Sequence, residues 1–279
     1  MVDSLLNHWP EYLIEAGLLG TFMVAACFAV VIIEHPRSTI AQRISHPHVR
    51  RVIIGVLMGL TAVALIYSPF GQRSGAHMNP ATTLTFLVLG RVKPWDAVFY
   101  IIFQFLGALA GVRLAELILG RHVKHEAVNY AVTVPGRRGI PAAWLAEFII
   151  AFGMMLMVLH STNHASSAPY TGVFAGLLVA VYIAIEAPLS GMSMNPARTL
   201  GSAIPARTYR GLWVYFTAPP LAMLTAAAVY AALFGIDTVY CAKLNHNHDG
   251  PCIFNCRLDE MPGRGATPAE PPGIQHGDR

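Results

Sequence analysis

The chain has 279 residues, 54% of them hydrophobic and 12% charged, with a formal net charge of +4. Soluble globular domains carry about 25% charged residues, so this chain lacks the polar surface that a water-soluble fold of its size needs. Its basic residues are scattered through loops rather than clustered on one face, which argues against a nucleic-acid partner.

Apolar runs long enough to cross a bilayer predict spans near 12–33, 52–70, 95–119, 142–160, 171–189 and 211–236. The first is expected to be retained, because it lacks a basic leader and carries Glu11 and Glu15 where a signal peptide would have Lys or Arg. Cys27 within it reads as a small packing residue. Two further apolar stretches, 80–90 and 196–206, are too short to span. At about 1.5 Å per residue, each covers roughly half of a 30 Å core. The chain therefore divides into a first repeat, 1–119, with three spans and the half-helix 80–90; a linking loop, 120–141, holding Pro135, Gly136, Gly139 and Pro141; and a second repeat, 142–236, with three spans and the half-helix 196–206. The tail, 237–279, contains Cys and His and is expected to be largely disordered, because its end is rich in Pro, Gly and charge.

The repeat is visible residue by residue. Ser74, Gly75, Met78, Asn79, Pro80, Ala81, Thr83, Leu84 and Arg91 return as Ser190, Gly191, Met194, Asn195, Pro196, Ala197, Thr199, Leu200 and Arg207. With three spans per half, the halves insert in opposite orientations, and inverted repeats with broken helices place their site near the midplane. Asn is among the best helix N-caps and Pro is favoured at the first helical position, so Asn79-Pro80 and Asn195-Pro196 read as helix starts that meet at the centre. Each half also has an intramembrane carboxylate, Glu15 and Glu147. Such groups are expensive in lipid, and these are expected to accept hydrogen bonds from the irregular backbone leading into each half-helix. Gln104 is expected to act similarly, and Gly107, Ala108, Ala110 and Gly111 suit close helix packing.

On these motifs the chain resembles the aquaporin (major intrinsic protein) family over about residues 11–236, of bacterial type. The resemblance implies an all-α membrane protein: an aquaporin-like bundle of six transmembrane helices and two half-helices in an inverted repeat, assembled as a homotetramer with one pore per subunit. It implies a multi-pass protein, expected in a bacterial inner (cell) membrane, with both termini cytoplasmic. The loop charges disagree slightly: Arg37, Arg43, Arg50, Arg51, Arg121, Lys124, Arg137 and Arg138 fall on one side, against Arg73, Arg91, Lys93 and the four basic residues of the tail on the other.

The resemblance also implies a pore built on Asn79, Pro80, Ala81, Asn195, Pro196 and Ala197, and a selectivity filter of Met58, Ile183, Met192 and Arg198, with Gly59 an alternative to Met58. Arg198 matches the family's filter arginine, whereas the family's water-selective members have His at the position of Ile183 and an aromatic residue in the second span. Thr199 stands where glycerol facilitators have Asp, and Tyr215-Phe216 looks like the aromatic pair of water channels, so the markers lie closer to the water branch. Glu186, one turn beyond Ile183, either lines the outer vestibule, pairs with Arg198 or snorkels at the helix end. His77 is given a positioning role in the first loop, and Arg113 and Glu116 are spaced to pair.

The expected function is a passive channel for water, and for other small neutral solutes, that excludes ions and protons. The alternative is a facilitator of glycerol, urea, ammonia, hydrogen peroxide or a metalloid, regulated by metal or redox state through the tail. No nucleophile–base set or phosphate loop occurs within the spans, so an enzyme is not expected, and the midplane lacks the carboxylates of an ion-coupled transporter. No cofactor is required by this reading. Cys241, His246, His248, Cys252 and Cys256 are the zinc or other metal ligands the tail offers, although their spacing is not that of a standard zinc finger.

Overall fold

A computed structural model of the chain describes residues 1–246 and 252–263. Six helices are long and apolar enough to cross a membrane: α1 (Val2–Glu34) and α2 (Pro47–Tyr67), then, after the half-helix α3 (Pro80–Val88), α4 (Pro94–Leu119), α5 (Ile140–Thr162) and α6 (Thr171–Ser190), and, after the half-helix α7 (Pro196–Ala206), α8 (Leu212–Phe234). No strand occurs among the described residues. Helix α1 starts well before the apolar run, because its polar first turns continue the helix outside the span. Pro stands at the first turn of α2, α3, α4, α5 and α7, where its missing N–H costs nothing and its φ is already helical.

The helix pairs follow the inverted repeat. Helix α1 packs on α4 as α5 packs on α8, α2 packs on α6 across the pseudo-symmetry axis, and each half-helix leans on a span of the opposite repeat, α7 on α4 and α3 on α8. With six spans, the start of α1 and the end of α8 lie on one face of the bundle, called here the terminal face; the linking loop, after the third span, lies on the other, the linker face.

Small residues set these contacts. A Cβ added at Gly111 would stand 2.2 Å from the Gly20 carbonyl, and one at Gly59 would stand 2.4 Å from the Gly176 carbonyl. The obstacles are backbone atoms, so side-chain repacking does not relieve them. Gly111→Val is expected to force α1 and α4 apart. Overpacking of this kind costs on the order of 3 kcal/mol, which lowers the unfolding midpoint of the detergent-solubilised protein by roughly 5–10 °C; an unchanged thermal melt would contradict the packing.

The tail corrects an expectation. Val239 and Ala242 are fully buried, and Lys243, Phe254, Leu258 and Met261 are all below 10% exposed. Residues 237–246 and 252–263 are therefore folded on the terminal face rather than disordered. Tyr240 N–H donates to Asn163 Oδ1 at 2.8 Å, Leu244 N–H to the Gly75 carbonyl at 3.1 Å, and Asn255 N–H to the Arg91 carbonyl at 2.9 Å. Apolar residues spaced among prolines, glycines and charges supply the docking face, and averaging over the segment conceals them.

Candidate functional site

A cavity of about 360 Å3 runs through the bundle, from Arg51 and Val128 near the linker face, past Asn79 and Asn195, to Ile66 and Leu244 at the terminal face. Its walls come from both repeats and are mainly apolar.

At the centre, Asn79 caps α3: its Oδ1 accepts the Ala81 N–H at 2.9 Å. Asn195 caps α7, accepting from Ala197 N–H at 3.0 Å and Arg198 N–H at 3.1 Å. The two amides also cross. Asn79 Nδ2 donates to the Met194 carbonyl at 2.8 Å, and Asn195 Nδ2 donates to the Met78 carbonyl at 2.7 Å. An amide nitrogen has two N–H donors, so each Asn fixes its orientation with one and leaves the other for the cavity it lines.

The loops into the half-helices are held under strain. Ala76 and Met78 in the first, and Met192 and Met194 in the second, have φ between 47° and 54°. This left-handed region costs a non-glycine residue roughly 1–2 kcal/mol. In each loop the strain is offset by a buried carboxylate. Glu15 accepts from Ser74 Oγ at 2.8 Å, His77 N–H at 3.0 Å, Met78 N–H at 2.6 Å and Gln104 Nε2 at 2.9 Å. Glu147 accepts from Ser190 Oγ at 2.5 Å, Ser193 N–H at 2.8 Å and Met194 N–H at 2.6 Å.

Two tyrosines complete the pair of cradles and were not assigned this role from sequence. Tyr100 OH donates to the Ser74 carbonyl at 2.7 Å, and Tyr215 OH donates to the Ser190 carbonyl at 2.5 Å. They occupy matching places in the two repeats, which is the signal that could have found them. Neither Tyr215 nor Phe216 lines the cavity, and Phe216 instead stacks on Phe105.

Met58, Ile183, Met192 and Arg198 all line the same cavity as the two asparagines. Gly59 does not, since its α-carbon packs on Gly176 of α6. The Arg198 Nη1 is buried and meets no hydrogen-bond acceptor among the described residues. The pairing of Glu186 with Arg198 is not found: no ion pair joins them among the described residues, and Glu186 does not line the cavity. Arg113 does pair with Glu116, at 2.7 Å, and Lys124 joins the same carboxylate at 3.0 Å.

His77 lines the cavity and bridges two elements. Its Nδ1 lies 3.0 Å from Thr83 Oγ1, and its Nε2 lies 2.8 Å from the Ala242 carbonyl of the tail. The ring is sandwiched between Phe86 and Phe254, with both centroids 5.3 Å away.

In the tail, Cys241, His246, Cys252 and Cys256 come together, while His248 lies outside the described residues. Hydrogen bonds from Cys241 and Cys252 hold the Cys256 thiol far below its usual range. Burial opposes the charge on His246, but hydrogen bonds to Cys252 and Cys256 outweigh it and raise the imidazole to about 9.

The profile of the Major intrinsic protein family matches residues 7–230. Aquaporin NIP1-2 of Arabidopsis thaliana is 31% identical over 239 residues, covering 82% of this chain and 76% of that protein. A probable aquaporin NIP-type of Nicotiana alata is 34% identical over 227 residues, covering 80% and 77%. The X-ray structure of the aquaglyceroporin from Plasmodium falciparum superposes with a TM-score of 0.66 over 82% of this chain and 98% of that one, at 17% identity, a likeness of fold. The two sequence relatives are plant proteins and lend no support to a bacterial inner membrane in particular.

Proposed function

The chain belongs to the major intrinsic protein family of membrane channels for water or small solutes, and from that premise we propose that it conducts water passively while excluding ions and protons. The observation that carries this reading is the reciprocal capping at the centre, where two half-helix N-termini meet at Asn79 and Asn195. Each helix N-terminus presents roughly half a positive charge, so a cation at the midplane is opposed from both sides. The spare amide N–H of each asparagine donates to a passing water oxygen. That water then cannot donate toward the asparagines, which breaks a proton-conducting chain. Exclusion by an arginine and by half-helix dipoles is the established device of aquaporin-type channels, and Arg198 supplies the first of these at the filter. Pro80, Ala81, Pro196 and Ala197 form the first turns of the half-helices, and Glu15, Glu147 and His77 hold the loops in place. The working unit we infer is a homotetramer in a lipid bilayer, with water as the principal permeant.

One observation favours the second reading, a facilitator of small neutral solutes such as glycerol, urea, ammonia, hydrogen peroxide or a metalloid: three of the four filter side chains, Met58, Ile183 and Met192, are apolar. Met is flexible and yields to irregular shapes. A stopped-flow panel on proteoliposomes separates the two. Osmotic shrinkage faster than that of empty vesicles, with slow re-swelling in glycerol and urea, is the expected result. Water flux no faster than in empty vesicles would overturn the water reading.

A further inference from the structure

We propose that Cys241, His246, Cys252 and Cys256 bind a single zinc ion that clamps the C-terminal segment over the terminal-face mouth of the channel. The four ligand atoms, one per residue, all lie within 4.8 Å of one another. Cys241 Sγ and Cys252 Sγ are 3.7 Å apart, and Cys256 Sγ and His246 Nε2 are 3.4 Å apart. Zinc–sulfur bonds of about 2.3 Å and zinc–nitrogen bonds of about 2.0–2.1 Å give a tetrahedron with S···S edges near 3.8 Å and S···N edges near 3.5 Å. Both separations are therefore those of a mononuclear tetrahedral site. Three thiolates and one imidazole form a closed structural set with no position left for chemistry.

Charge points the same way. Lys243 is 2% exposed, its Nζ meets no hydrogen-bond acceptor among the described residues, and it lines the same small cavity as His246. A buried ammonium without compensation is costly. Zinc with three thiolates and a neutral imidazole carries one net negative charge, which offsets that of Lys243.

The ligands join two irregular segments that have little core of their own. Cys241 and His246 come from the stretch that leaves α8; Cys252 and Cys256 come from the stretch that returns. Among the described residues, one backbone bond, Arg257 N–H to the Tyr240 carbonyl at 2.8 Å, and one exposed ion pair, Arg257 to Asp237 at 3.3 Å, join the two segments beside the ligands. Units this small are commonly stapled by a metal. The residues lying between the ligands are those that touch the channel: the Ala242 carbonyl meets His77, Leu244 lines the cavity, and Phe254 stacks on His77. A metal at this site thus fixes what stands in the mouth.

The test uses the full chain, purified in detergent without chelator. Elemental analysis is expected to find one zinc per chain. After dialysis against a chelator that the parent protein withstands, Cys256→Ser and His246→Ala are expected to retain less than about a tenth as much, since losing even a group that only supports a ligand costs tenfold or more in affinity, while Cys27→Ser, altered deep in α1, retains it all. Exchange with cobalt is expected to give the intense visible bands and thiolate charge transfer of a tetrahedral site, a readout that stands even if a variant misfolds. Protease cleavage between 238 and 263 is expected to accelerate on chelation. No bound metal, equal metal in the ligand variants, or a Cys241–Cys252 disulfide in metal-free protein would each overturn the proposal. The assignment of the ligands does not rest on the proposed permeation, so vesicles that retain zinc yet pass no water count against the water reading alone.

Discussion

Replacing Glu147 with alanine is expected to prevent the channel from folding. The carboxylate accepts from Ser190 Oγ, Ser193 N–H and Met194 N–H, all within 2.8 Å, at a site with no solvent exposure. Each buried donor left without a partner costs about 1–3 kcal/mol. Three of them approach the whole stability of a typical domain, about 5–15 kcal/mol. The loss also frees a loop that holds Met192 and Met194 in the left-handed region, so the backbone has cheaper conformations to relax into. Glu147→Gln keeps an acceptor oxygen and nearly the same volume, and it is expected to fold with a lowered melting temperature. Fluorescence-detected size exclusion of the two variants, followed by thermal melts, checks the order. An alanine variant that elutes as a single peak and melts within a few degrees of the parent protein would show that the carboxylate does not hold the loop. Glu15, which accepts from four groups, is expected to behave in the same way.

The roles of these carboxylates could be read from sequence because the argument was local: an ionisable residue in lipid needs partners, and an irregular loop needs acceptors. The half-helices could be read for the same reason, since Asn followed by Pro is a helix start wherever it stands. What could not be read depends on contacts between distant residues. Nothing in the local sequence says that Asn79 spends one amide N–H on Met194 and that Asn195 spends one on Met78. That bond exists only once the two repeats are superposed back to back. The choice between Met58 and Gly59 needed the facing helix as well: Gly176 of α6 takes up Gly59, and one residue of helical rotation then turns Met58 into the cavity. Of the three readings of Glu186, a pair with Arg198 is not found among the described residues although helical spacing placed Glu186 near Ile183, because a shared face along one helix does not fix the approach of another. The docked stretches of the tail, 237–246 and 252–263, were not legible because average composition was the guide, whereas docking depends on a few residues, above all Phe254 stacked on His77.

Arg198→Ala is expected to make the filter leak protons and small cations while leaving water flux intact or raised. Arg198 stands in the first turn of α7, beside Met58, Ile183 and Met192 in the cavity wall. The other three contribute no charge, so in the proposed filter this guanidinium carries the electrostatic barrier. A unit charge about 4 Å away in surroundings of effective dielectric near 20 is worth about 4 kcal/mol, close to a thousandfold in the occupancy of a cation. Alanine removes that barrier and widens the passage. The half-helix N-termini remain, at roughly half a charge each, so the expected rise in proton leak falls short of the full factor; tenfold or more above the parent protein is the expected scale. Arg198→Lys keeps the charge but not the planar donor fork, and it is expected to restore most of the exclusion. A pH-sensitive dye inside proteoliposomes, read after an external acid jump, reports the leak, and stopped-flow scattering on the same vesicles reports water. If both variants hold a proton gradient as tightly as the parent protein while passing water at its rate, ion exclusion resides entirely in the paired asparagines and helix N-termini at the midplane.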